Sequence, residues 1–169
     1  MISLFNSFMS EVTMDDRPVK QSPALDRIER NMRPMCLCHA GFLGYERRKL
    51  IEILTDDQGT VNSLGLSHEV IAQRLRAITD KAREGLGDPV VVEKKFEVEV
   101  QEARGKIPCP WGHPGLYPKT HVKLEKSETG ETLVWSDLTI HLIEEHGFYQ
   151  GRGSPYRLDP PGVKRILDM

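Results

Sequence analysis

The feature that most constrains the fold is a change of hydrophobic period near residue 87. Before it, Ile71, Leu75, Ile78 and Ala82 recur at spacings of four, three and four. That is one apolar stripe on a helix. Ser67 is placed to cap its first turn, Glu69 lies where the positive helix end favours an acid, and Gly85 and Gly87 end it. After the change, Val90, Val92, Phe96, Val98 and Val100 alternate with Glu93, Lys95, Glu97 and Glu99. Lys94 is the one exception on the apolar side. This pattern reads as one long strand with a buried face and a wet face.

Two further strands follow. Lys119–Lys126 places Val122 and Leu124 inward, and Glu131–Trp135 returns after a Ser127-Glu128-Thr129-Gly130 turn. His121 then falls on the wet face. Ser136 and Asp137 open a short helix that Gly147 stops. Upstream, Leu25, Ile28 and Met32 suit a short helix that Pro34 ends. Tyr45–Leu54 leans to helix, with a turn at Asp56-Asp57-Gln58-Gly59. The expected fold is therefore α+β: a three-stranded antiparallel, meander-like sheet from residues 90–100, 119–126 and 131–135. A helix spanning 67–86 covers it and a short C-terminal helix over 137–146 closes one end. The expected organisation is a flexible N-terminal segment (1–24), one α+β domain (25–147) and an extended Gly/Pro/Arg-rich tail (148–169).

Composition excludes several classes. A net charge of -2 marks neither a nucleic-acid binder nor a membrane-surface protein. The Met1–Met9 stretch lacks the basic start of a secretory signal, and no apolar run approaches membrane-spanning length. Three cysteines, two of them only one residue apart, make no disulfide framework. A cytoplasmic setting follows.

Chemistry concentrates in two clusters, Cys109-Pro-Trp-Gly-His113 and His141-Leu-Ile-Glu-Glu-His146. They offer one thiolate and three imidazoles, a set that suits tetrahedral zinc. Pro108 and Pro110 stiffen the loop around Cys109, and Gly112 and Gly115 permit a tight reversal. On an ideal helix His141 and His146 point about 140° apart. Both can serve one ion only if the helix tightens or ends between them, and Gly147 allows an ending there. Cys109, His113, His141 and His146 are thus the expected metal ligands, for one zinc per chain. The same residues also read as ordinary ones, with His141 a core-edge histidine bonded to Glu145.

Cys109 to Gly147 resembles the C2H2 zinc-finger class, through a capped helix carrying His-x4-His after a β-hairpin. The chain departs from that class in having Cys-x3-His for Cys-x2-Cys and 27 residues between His113 and His141, against about 12 in a finger. The knuckle is also expected to precede the hairpin instead of sitting at its turn. The resemblance implies a structural zinc with no open position. It does not imply DNA reading, because this helix lacks a basic face.

Other motifs weigh less. Cys36-Leu-Cys38-His39 is a tight second cluster that also fits small buried hydrophobes. His-x-x-Glu-Glu-His misses metallopeptidase spacing by one residue, leaving Glu144 or Glu145 as a base in a hydrolase reading. Gly65–Leu75 opens like a helix-turn-helix but no recognition helix follows. Gly151–Arg157 could cradle an anion, though a surface turn explains it. The expected function is a zinc-stabilised interaction or regulatory protein with a protein partner. The alternatives are a metal-dependent hydrolase and a nucleic-acid accessory protein. No catalytic residue is identified.

Overall fold

A computed structural model describes residues 19–169. The expectations for residues 1–18, including most of the N-terminal segment, lie outside the described residues. Among those described, the class is α+β: helices α1 (Pro23–Asn31), α2 (Leu50–Ser63), α3 (His68–Ala82), α4 (Asp137–His146) and α5 (Pro160–Leu167) accompany one antiparallel sheet. Its strands are β1 (Val90–Val92), β2 (Phe96–Pro108), β3 (Leu116–Lys126) and β4 (Thr132–Trp135), in the order β1-β2-β3-β4. The order is a meander.

The sheet has four strands where three were expected. Val90–Val100 is a hairpin, not one strand: Val92 pairs with Phe96 across a turn in which Glu93 and Lys94 take left-handed φ values of 53° and 61°. Three turn residues keep the inside/outside parity of the flanking strands, so the alternation survives the reversal. Phe96, Val98 and Val100 still face inward with Val122, Leu124 and Trp135. β2 also runs eight residues further than expected, with an irregularity between Ala103 and Lys106.

Two caps fall where the sequence places them. Ser67 Oγ accepts from the Val70 N–H at 3.2 Å, and Ser136 Oγ accepts from the Thr139 N–H at 3.1 Å. Satisfying such an orphan N–H stabilises a helix start by about 1 kcal/mol. The stripe Ile71, Leu75, Ile78 and Ala82 is fully buried against the sheet. Ile71, Leu75 and Ile78 each contribute about 1.5–3 kcal/mol by leaving water. Trp135 lies under it, and its Nε1–H donates to Thr79 Oγ1 at 2.8 Å, so the one polar atom of the indole is satisfied inside the core.

Three expectations are corrected. Asp56–Gly59 is not a turn but the interior of α2, which continues to Ser63. Residues 21–24 are structured: Pro23 starts α1, and Gln21 bridges Asp26, Glu29 and the Ile51 N–H. The segment 148–169 is no surface tail. Phe148 and Tyr149 are fully buried, and α5 sends Val163, Ile166 and Leu167 into the main core. Asp159 caps that helix with Pro160 as its first residue. Arg157 reaches back to α2, pairing both its terminal nitrogens with the Asp57 carboxylate at 2.6 Å.

The buried residues divide into two clusters. The larger joins the sheet to α3, α5 and one side of α4. The smaller gathers Met32, Phe42, Leu43, Leu50, Ile53 and Phe148 around Cys109 and the other side of α4.

Candidate metal centre

The long β2–β3 hairpin ends in the Cys109–Gly115 loop, because Pro108 pairs with Leu116. The knuckle therefore does sit at a hairpin turn, contrary to expectation. It is the turn of a hairpin that the sequence hid by ending β2 too early. The Gly112 N–H bonds the Cys109 carbonyl at 3.0 Å and closes the turn. Asn31, at the end of α1, donates to the Pro110 carbonyl at 3.0 Å and ties the loop to the helical layer.

α4 brings the histidines. It ends at His146, with Gly147 left-handed at φ 60°. The Gly147 N–H returns to the Ile143 carbonyl and the Phe148 N–H to the Leu142 carbonyl, both at 3.0 Å. Contrary to expectation the helix does not end between the two histidines: α4 runs through His146, and their ring nitrogens still meet in one group. A side chain at position 147 would be strained at this φ, and its Cβ would stand 2.7 Å from His68 Nε2.

Cys109 Sγ, His113, His141 and His146 offer ligand atoms that all lie within 4.8 Å of one another, so this group could hold a metal ion. His113 Nε2 stands 3.0 Å from His141 Nε2 and 3.1 Å from His146 Nε2, and Cys109 Sγ is 3.4 Å from His146 Nε2. Ligand atoms around a tetrahedral zinc sit about 3.3–3.6 Å apart, given bonds of about 2.0–2.3 Å. His113 Nδ1 lies 3.1 Å from the Pro114 carbonyl, which directs Nε2 at the group in the manner common to metal-bound histidines. Trp111 stacks flat on the His146 ring at 4.0 Å, and Tyr117 lies over His141 at 4.4 Å. Two aromatic platforms thus fix the rings, which sequence spacing alone did not reveal.

Electrostatics agree with a site for a cation. Burial, then the nearby His141 and His113, hold the His146 imidazole down at about 4. Burial and His113 lower His141 also. The His113 ring nitrogen stands 3.0–3.1 Å from those of His141 and His146, so three imidazole nitrogens face one point. Burial pushes the Cys109 thiol up, opposed by a hydrogen bond from the Trp111 backbone. A bound dication would reverse that burial effect by stabilising the thiolate.

The remaining candidates fall elsewhere. Cys36 is exposed and Cys38 half-buried, and neither joins the group. His141 turns to His113, not to Glu145, which is exposed. Glu144 is held by both terminal nitrogens of Arg76, which lower its carboxyl below the usual range. Basic residues of α3 and its end are paired as well: Arg74 with Glu93, Lys81 with Glu84, and Arg83 with Asp137. Arg157 of the suspected anion loop is committed to Asp57. His68, the first residue of α3, links the Tyr149 hydroxyl and Gln58 at 2.8 Å each. No helix of the described residues is long and apolar enough to cross a membrane. No protein-family model matches the chain, and neither a curated protein nor a solved structure matches it.

Proposed function

We propose that Cys109, His113, His141 and His146 bind one zinc ion as a structural centre, and that the protein is a zinc-stabilised interaction or regulatory module acting through a protein partner in the cytoplasm. The observation that carries this reading is the mutual approach of all four ligand atoms within 4.8 Å. The donor chemistry supports zinc in particular: one soft thiolate and three imidazoles suit it better than they suit magnesium or calcium. Four protein ligands leave no position for a reacting water, which separates a structural centre from a catalytic one. The partial likeness to C2H2 fingers points the same way, since here too a hairpin knuckle is clamped to a helix.

The ion would join the tip of β2–β3 to the end of α4 and so close the smaller cluster around it. A hydrolase reading needs a free carboxylate at the ion. Glu144 is engaged by Arg76 and Glu145 points to solvent, so nothing at the site favours that reading.

Metal content tests the proposal directly. Untagged protein should carry about one zinc per chain by mass spectrometry, with an X-ray absorption spectrum of one sulfur and three nitrogens. Cys109→Ser should lose most of the metal. Protein that takes up no metal from excess zinc, and melts at the same temperature with and without a strong chelator, would sink it.

A further inference from the structure

Away from the metal group, a cleft of about 420 Å³ opens between five separated stretches of chain: 38–42, 101–107, 118–121, 136–138 and 150–156. That volume lies in the range of small-molecule sites, and such sites join apolar walls to a few convergent polar groups. Here the walls include Phe42, Ile107, Pro118 and Leu138. The polar groups come from other strands and loops.

Three observations indicate what the cleft would hold. Lys119 lines it without a carboxylate partner among the described residues, whereas neighbouring Glu102 is shared with Arg83 and Lys123 approaches Glu125. His121 Nδ1 lies 3.3 Å from the Tyr156 hydroxyl. With that hydroxyl donating, Nε2 carries the ring hydrogen and is left as a donor. Gln150 is buried and left-handed at φ 68°, a conformation costly for a non-glycine residue and concentrated at functional sites. Its amide nitrogen donates to Thr139 Oγ1 and its carbonyl accepts from Ser154, so its side chain is fixed with one N–H to spare.

From this arrangement we infer that the cleft binds a small organic monocarboxylate, its apolar body against Phe42 and Leu138 and its carboxylate at Lys119 and His121. One ammonium with neutral donors matches a single negative charge. A phosphate dianion would carry a second charge against Glu102 in the lining, and no arginine lines the cleft to fork it. Burial raises the Tyr156 hydroxyl above its usual range, which keeps it a neutral donor. The inference does not depend on the metal reading, since none of the four metal-group residues lines the cleft.

The test uses the full chain in its zinc-supplemented form. Its probe is 2-naphthoate, with uncharged 2-naphthamide for comparison, and affinity is read by NMR titration. Binding is located by the alkylation rate of Cys38, which lines the cleft, relative to exposed Cys36. The expected result is that 2-naphthoate binds and slows alkylation of Cys38 but not of Cys36. Lys119→Gln should weaken 2-naphthoate about tenfold or more, the loss of one charge-assisted hydrogen bond, and leave 2-naphthamide unchanged. Lys123→Gln should change neither. Ala103→Trp, at an exposed lining position, should fill the cleft and abolish binding; if that variant does not fold, Cys38 protection in the unaltered protein still decides. No binding of 2-naphthoate, equal loss of both probes in Lys119→Gln, or binding that leaves Cys38 unprotected would each overturn the inference.

Discussion

The two hydrophobic clusters differ in how they are built. The larger is continuous: a β-meander, the stripe of α3 and the apolar side of α5 interlock, with Trp135, Phe96 and Tyr149 fully buried. The smaller is assembled from short pieces (α1, the 42–43 turn, the start of α2, the Cys109 loop, one side of α4 and Phe148), and the sheet reaches it at the tip of the β2–β3 hairpin, where Ile107 pairs with Tyr117. A core of that kind gains little from secondary structure, and a cross-link is what it lacks. The candidate metal group lies at this spot, joining the loop to α4, the helix that borders both clusters. The contrast teaches that stability here is divided between burial in one region and, on the proposed reading, ligation in the other.

The largest expected effect separates the regions. Stripping metal with a chelator, or His146→Ala, should raise amide hydrogen exchange in α1, residues 42–54 and 109–117 by about a hundredfold or more. Exchange in α3 and Phe96–Val100 should move far less. Uniform change across both regions would break the comparison. Next comes Arg157→Ala, which leaves the Asp57 carboxylate buried without its partner. It should cost about 3–5 kcal/mol in urea unfolding, and Asp57→Leu combined with Arg157→Met should recover much of the loss.

A smaller effect is expected of Gly147→Ala. Left-handed backbone costs about 1–2 kcal/mol for a residue with a Cβ, and the approach of His68 adds to it. Zinc affinity should fall with stability, because the turn sets His146; titration against a competing chelator would show it. The smallest concerns pH. Hydrogen bonds from Arg48 hold the Glu46 carboxyl at about 2 in the folded protein, against an ordinary 4.5. Its folded value is depressed, so its contribution is complete above pH 4.5 and is lost as pH falls toward 2. Glu46→Gln should flatten the fall of melting temperature in that window, and an unchanged slope would remove the effect.

How far the sequence could be read follows the same division. α3, its cap and the sheet's buried face were legible, because burial on one side writes its period into the chain. The four candidate ligands were legible as a set, since cysteine and histidine clusters are uncommon and Gly147 marks where α4 must stop. The split of Val90–Val100 was hidden because a three-residue turn preserves parity, and Lys94 was its only trace. α5 was obscured by the glycines and prolines around it, although Asp159, Pro160 and the Val163, Ile166, Leu167 spacing carried a helix start and an apolar side. The cleft left no trace, because Cys38, His121 and Gln150 meet only after folding. Alternation alone gives no account of His121, which it assigns to solvent.

The flat stack of Trp111 on His146 gives the molecule an internal optical reporter. The chain's other indole, Trp135, is sealed in the main core and hydrogen-bonded to Thr79. Emission from Trp111 should therefore respond most directly to metal at His146, so the state of the less self-sufficient region could be followed in a fluorimeter without a label.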